Sequence, residues 1–571
     1  MDKFLEPYAP HFEAENFSEK EKWFIEPFFS NLNQSVYVPL IYDTELAGAL
    51  MSRASRAKGD LRKIFLEDFI NPIIHPVFDE EKDTEETWQE KLDQDIEMRA
   101  LIQFLHEHPF EKIFSNKRAR AFYTKWLAGY GDDSIAQMTG MYVVFSGISQ
   151  VTIKHFEDMR IGIAPIEQST RYVPYDIKVN GRYKYYTDPD LANYGLVEKF
   201  EAANDKLFDT YSKLLSPLKT WLTKHYPNED TNTIEKKAFD SLRGLLPMGT
   251  LSQVAFYGNA QAFEHLINRS LEHPLGEIRW AAARVKEELS ARTPALFRRV
   301  NSGSEVSVNY QKYLVGKTEC LRDVSETVAD SIELKESTED AYEVKIVDHD
   351  KLEKVITAMI FKTADYHKSW NDTMDEVLKM TEAEKDGIIS EYLRGRDERW
   401  MKVGRALEMS YVTIEIIMNI GAWRDLQRHR MMTQIRQSFS CYHGYDTPQV
   451  LIDSDLHEEY QEALDDAGIV FMEIAGWSGN LAQYIPCLAH LMRFVQHKNL
   501  RECFWEGELR TTQSCHPDYR RIEQLIFKEL EKKYPLITKH SMVDMNDYDF
   551  SRRGDIKKTK DKEERLLQSI Q

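Results

Sequence analysis

Apolar residues recur three and four positions apart, with charges between them, over residues 198–222, 234–246, 261–289, 351–379, 456–498 and 519–533. That spacing lines one face of an α-helix, so long helices are expected there. Four stretches are instead mostly rich in Val, Ile, Tyr and Phe: 35–42, 141–151, 343–347 and 412–420. Such residues fit a pleated, half-buried surface, and these are expected strands. Residues 175–186 contain Val179-Asn180-Gly181, and Asn-Gly suits the positive backbone angles of a tight hairpin turn. Residues 319–341 are acidic, polar and free of aromatics, which predicts a linker. The last twenty residues read as a solvated tail.

The two sides of that linker carry the same order of signals. Each opens with a strand-like segment and a helix, VYVPLIYDTELAGALMSRA in the first half and YEVKIVDHDKLEKVITAMI in the second. Each then has a β-rich run leading to a loop with arginine and serine. Aligning Ser169 with Ser438 brings Gln137 to within two residues of Glu408. Downstream, Asn259 precedes Arg269 much as Asn499 precedes Arg510. The pattern reads as two divergent copies of one unit, the first with an insertion. The expected fold class is α+β: two related lobes, each a small, mainly antiparallel sheet packed with long helices. The expected division is an N-terminal extension (1–34), a first lobe (35–318), the linker (319–341), a second lobe (342–548) and a charged tail (549–571).

Composition narrows the function. With 74 Lys and Arg against 94 Asp and Glu, the net charge is −20. A chain this acidic is a poor generic binder of nucleic acid or anionic membrane, because phosphate affinity rests on Lys and Arg. Any phosphate must be met by a few focused arginines. Five cysteines in 571 residues make no disulfide framework. The charged start shows no signal-peptide core and no run is apolar enough to span a membrane, so the reading is cytoplasmic. There is no Gly-rich phosphate loop of the Rossmann or P-loop kind. Cys503, Cys515, His516 and His497 fit no paired zinc spacing, and no metal site is expected. Cys441, just past Ser438, is either an ordinary loop cysteine or a thiol near a basic cluster.

The chemistry concentrates in Gln427-Arg428-His429-Arg430, followed by Ser438. Cationic and hydrogen-bonding side chains that leave a strand for a loop can surround an anion or an electron-rich ring. Arg428-His429-Arg430 with Ser438 at that distance resembles the signature of the flavin-dependent thymidylate synthases, the ThyX family. Glu167-Gln168-Ser169-Thr170-Arg171-Tyr172 is similar to the family's Glu-x-Ser-x-Arg-Tyr ending of the same motif. Arg243-Gly244-Leu245-Leu246-Pro247, followed by Asn259, resembles its Arg-x-x-Leu-Pro block. Asn268-Arg269 with Glu277, and Leu509-Arg510, resemble its closing arginine block.

The resemblance implies FAD as cofactor, with methylenetetrahydrofolate and NADPH as co-substrates, and methylation of dUMP to dTMP. It implies flavin contacts from Arg428, His429, Arg430, Glu408, Ser134, Asn259 and Asn499. It implies nucleotide contacts from Gln427, Glu167, Ser169, Arg171, Arg243 and Ser438, and catalytic roles for Arg269 and Arg510. The family builds its site between subunits of a homotetramer, so a homodimer of tandem chains is the implied assembly.

Neither copy matches the family throughout. The first has Met159-Arg160-Ile161 where Arg-His-Arg belongs. The second has Arg436 for the family's Glu, Ser440 for its phosphate-binding Arg, and Ala482 at the Arg of the Arg-x-x-Leu-Pro block. Together they hold one full set, which predicts a composite site: a nucleotide half from the first copy and a flavin half from the second. Two other readings stay open, a catalytically inactive flavin- or nucleotide-binding scaffold and a structural protein assembling through its helices.

Overall fold

The computed structural model describes residues 3–113, 115–300, 302–329, 342–363 and 366–551, with positions 562 and 565. In the first half of the chain, β1 (Val36–Tyr37), β2 (Met141–Ser149), β3 (Ile163–Glu167) and β4 (Leu251–Gly258) form a sheet in the order β1-β2-β4-β3. Every neighbouring pair is antiparallel. In the second half, β5 (Glu343–His349), β6 (Tyr411–Asn419), β7 (Thr433–Arg436) and β8 (Leu491–Asn499) form a sheet in the order β5-β6-β8-β7, also antiparallel. Strand β6 shows why: Val412, Ile414, Ile416 and Met418 alternate onto one fully buried face.

The likeness of the two halves extends to residue pairing. Glu167, the last residue of β3, stands opposite Val254, and Arg436, the last of β7, stands opposite Phe494. Ser149 and Asn419 end β2 and β6 and cap the helices Gln150–Glu157 and Ile420–Leu426. Asn259 and Asn499 follow β4 and β8 and cap Ala260–Ser270 and Leu500–Arg510. Each cap side chain accepts a backbone N–H that the first helical turn leaves without a partner. The α+β class and the tandem repeat are therefore as expected.

Several local expectations are corrected. Residues 305–329 form a helix, so the expected linker is helical in its first part; 330–341 lie outside the described residues. The long run 456–498 divides into helix His457–Ala475, a short turn and strand β8. The run 261–289 breaks between Ser270 and Gly276, at a stretch containing Pro274. The run 351–379 is two helices, Glu353–Phe361 and Trp370–Lys379. Strands β3, β4, β7 and β8 were not expected. The hairpin is present in minimal form: Asn180 and Gly181 have φ of 49° and 82° between the bridged residues Val179 and Arg182.

The described residues divide into two compact units whose borders differ from 35–318 and 342–548. The first draws on Met1–Asp205, Pro247–Lys335 and Glu473–Tyr484; the second on Lys206–Leu246, Glu336–Met472 and Ile485–Gln571. Each unit thus takes one segment from the opposite half. In the first unit Gly249 N–H donates to Tyr484 O (2.8 Å). In the second, Leu488 N–H donates to Leu246 O (2.9 Å) and Ala489 N–H to Gly244 O (3.0 Å). The expected N-terminal extension belongs to the first unit's core, where Phe17, Phe24, Ile25, Phe28 and Phe29 pack with Tyr37 and Phe65. The start of the expected tail also packs: Phe550 is buried in the second unit against Tyr226.

Candidate functional site

In the second unit, helix Ile420–Leu426 ends at Gln427 and the chain turns through Arg428, His429 and Arg430 into β7. Trp423, Leu426 and Gln427 are buried, as is His429, while Arg428 and Arg430 are exposed. One motif therefore has two orientations, with the ring inside and the guanidiniums at the surface.

A row of charged side chains fixes the ring. Arg510, in the last turn of Leu500–Arg510, donates from Nε to His429 Nε2 (2.9 Å) and from Nη2 to the Asp425 carbonyl (2.8 Å). Guanidinium does not lose its proton, so Nε2 is the acceptor, and the proton of a neutral ring sits on Nδ1. That N–H points at Glu502, with Nδ1 3.0 Å from its carboxylate. Asp425 also holds Arg428 through an ion pair. His429, Glu502 and Glu506 bring three ligand-type atoms within 4.8 Å of one another, a spacing that suits a metal ion. The hydrogen bonds assign them another role, because a protonated Nδ1 cannot ligate and Lys498 Nζ already sits 2.5 Å from Glu506.

The remaining second-unit residues of the motif lie as follows. Glu408, in the 3-10 turn Arg405–Met409, is bound by Arg405 and Arg501. Burial would raise its carboxyl, but the Arg501 and Arg405 hydrogen bonds outweigh burial and hold it below the ordinary range. Ser438 is exposed and Asn499 is a buried helix cap. Arg436, where the family has Glu, stacks its guanidinium over Phe439 (4.3 Å) and Trp423 (5.5 Å). Arg243 lies in this unit, although it comes from the first half of the sequence. It is buried, with Nη2 3.6 Å from where a Cβ on Gly421 would stand. Arg243 thus falls in the same unit as the Arg428-His429-Arg430 turn.

The first unit holds Ser134, Glu167, Ser169, Arg171, Asn259 and Arg269. Ser169 closes a turn: its hydroxyl accepts from Arg171 N–H (3.2 Å), its carbonyl accepts from Val173 N–H (3.2 Å), and its own N–H donates to Ser55 O (3.0 Å). Arg171 is half-buried. Glu167 is committed to the interior, taking Lys154 Nζ (2.8 Å) and Gln150 Nε2 (2.7 Å). Ser134 is exposed and bound to Asp132; Arg269 is exposed in the last turn of its helix; Asn259 caps that helix. Where the second copy has Arg-His-Arg, the first has Arg160 at φ 37° and Gly162 at φ 76°, a differently shaped turn.

Sequence reasoning missed Asp425, Lys498, Glu502, Glu506 and Glu523. The signal was available: Glu502 and Glu506 lie four apart on a helix, and Glu502, Cys503, Phe504, Glu506 and Gly507 are all on its buried side. Cys441 is no activated thiol, since burial pushes it up.

A family model described as thymidylate synthase complementing protein matches residues 82–295 and 345–536. A protein of Chlamydia pneumoniae described as UPF0159 protein is 30% identical over 547 residues, 94% of this chain and 97% of its own. UPF0159 protein Ta1429 of Thermoplasma acidophilum is 28% identical over 77% of this chain and 91% of its own. A flavin-dependent thymidylate synthase of Mycobacterium sp. (strain KMS) is 28% identical over 31% of this chain and 68% of its own. Among solved structures, a UMP/dUMP methylase PolB from Streptomyces cacaoi bound with 5-Br dUMP shares 14% identity, covering 37% of this chain and 96% of that one at a TM-score of 0.27.

Proposed function

Because the chain belongs to the thymidylate synthase complementing protein family, we propose that it is an FAD-dependent thymidylate synthase that methylates dUMP to dTMP with methylenetetrahydrofolate and NADPH. The observation that carries the reading is the second unit's turn, where exposed Arg428 and Arg430 flank a ring pinned from below by Arg510 and Glu502. Two guanidiniums on a fixed turn suit the negative charge that accumulates on a reduced ring or a pyrophosphate. Bound and reduced, FAD would supply the hydride. The residues that would hold it are Arg428, Arg430, Glu408 and Asn499, with His429 offering its ring rather than an N–H, since both nitrogens are engaged within the protein.

The nucleotide contacts are proposed for Ser169, Arg171 and Arg243, with Gln427, Glu167 and Ser438. Ser169 and Arg171 have the polar turn this needs: a hydroxyl, backbone N–H groups and a half-buried guanidinium. Glu167 would act indirectly, through Lys154 and Gln150. Arg269 and Arg510 are proposed as the catalytic arginines. Arg510 has Nε and Nη2 committed to His429 and Asp425, so Arg269 is the more accessible of the two.

The deciding experiment is purification, a flavin absorption spectrum, and turnover of dUMP with methylenetetrahydrofolate and NADPH. Arg428→Ala is expected to weaken FAD binding and spare dUMP, and Arg171→Ala to do the reverse. FAD binding without turnover would favour the scaffold reading, which the Glu-to-Arg change at Arg436 and the first copy's Arg160 turn support. Binding of neither ligand would overturn the proposal.

A further inference from the structure

Glu523, on the helix Pro517–Lys533, is fully buried, and neither of its carboxyl oxygens has a hydrogen-bond partner among the described residues. The groups that face it are Glu502, Cys503, Glu506 and Arg510 from the helix Leu500–Arg510, and Lys498 from β8. The local charges do not balance. Lys498 is taken by Glu506 at 2.5 Å, and both are fully buried. Arg510 is taken by His429 and Asp425, and His429 by Glu502. A third carboxylate would stand here with no cation and no donor, which a low-dielectric interior does not tolerate. Two acids sharing one ammonium resolve the conflict by keeping one proton between them.

We propose that Glu523 is a neutral carboxylic acid in the resting protein and a positioning residue for the Arg428-His429-Arg430 turn, keeping an uncompensated negative charge out of the buried row that carries His429. The ionisation behaviour agrees: burial first, then the charge of Glu506, push Glu523 up to about 8. At Glu506 burial is the largest single influence, but Lys498, His429 and Arg510 together outweigh it and hold the carboxyl below the ordinary range. The acid is thus protonated at neutral pH and ionises in mildly alkaline solution. Its charge would then oppose the hold of Arg428 and Arg430 on an anionic ligand. This consequence rests on the reading that the turn binds FAD; the protonation of Glu523 does not.

Two measurements on the full-length protein test it. Infrared spectroscopy at pH 7 is expected to show a protonated carboxyl band that Glu523→Gln removes; an unchanged spectrum overturns the proposal. FAD titrations across neutral to alkaline pH are expected to show wild-type affinity falling several-fold, because a new buried negative charge weakens the attraction of the two guanidiniums for an anion. Glu523→Gln, which stays neutral, should match wild type at pH 7 and lose that fall. Equal pH profiles in the two proteins overturn the positioning role. If Glu523→Gln does not fold, Glu506→Gln serves: Lys498 then becomes the counter-charge of Glu523, and both the infrared band at pH 7 and the alkaline step should vanish. Wild type that binds no FAD at any pH refutes the functional reading, and the infrared band still decides the state of Glu523.

Discussion

At the scale of single residues, the second unit is held by groups whose alternatives are sterically or electrostatically closed. Gly244, inside the Arg243–Pro247 block, faces the Tyr460 hydroxyl so closely that a Cβ would overlap it. Gly244→Ala is therefore expected to cost about 1–3 kcal/mol, measured by urea unfolding, through overpacking rather than any lost contact. Glu523 makes a prediction of the opposite kind. Its folded value of about 8 lies above that of an unfolded glutamate, so the stability from its bound proton is complete below about pH 4 and is lost as pH rises through about 8. The Glu523 contribution to the unfolding free energy should fall across that window with a slope of at most about 1.4 kcal/mol per pH unit, read by urea unfolding at a series of pH values, and Glu523→Gln should remove it.

Elements repeat their devices even where residues have changed. The residue that ends β2 or β6 caps the next helix and also reaches a carboxylate on the closing helix: Ser149 Oγ to Glu277 (2.5 Å) and Asn419 Nδ2 to Asp518 (2.7 Å). In the second unit Asn419 also lies 3.5 Å from Asp446, whose carboxyl is raised by burial and by Asp518. Asn419→Ala should cost about 1–3 kcal/mol, since a cap and a bridge between two half-buried acids go together. Asn419→Asp keeps the cap but adds a third acid. It is expected to match the alanine variant at pH 8 and recover part of the loss at pH 5, which thermal unfolding at the two pH values checks. The signal for strands β3 and β7 was weak because they are short, for β4 because it is almost wholly buried, and for β8 because its buried face includes the polar Gln496 and Lys498. A buried strand loses the alternation that marks a half-exposed one: in β4 every residue but Tyr257 is buried.

Across the whole molecule the informative feature is the exchange of segments. Residues 206–246 of the first half count with the second unit, and 473–484 of the second half with the first. Within the second unit, Lys206 pairs with Glu462 and Asp466, and Lys237 Nζ donates to the Asp549 carbonyl. A second half beginning at residue 342 would lack these partners. Expressed alone it is expected to be insoluble or molten, and co-expression with residues 1–341 should restore a soluble pair, read by circular dichroism and gel filtration. Independent folding of the isolated half would show that the exchanged segment is dispensable. Among the described residues no helix is long and apolar enough to cross a membrane.

The chain's linear order was enough to establish the tandem repeat, the α+β class and the motif, because periodicity, cap residues and spacing are local properties that survive divergence. Ser169, Ser438, Asn259 and Asn499 could be aligned by counting alone. The partners of His429, the inward commitment of Glu167 and the placement of Arg243 with the second unit were decided only in three dimensions. Each depends on which distant side chains share one buried, low-dielectric space, and burial and charge balance are sums over neighbours that spacing along the chain does not specify.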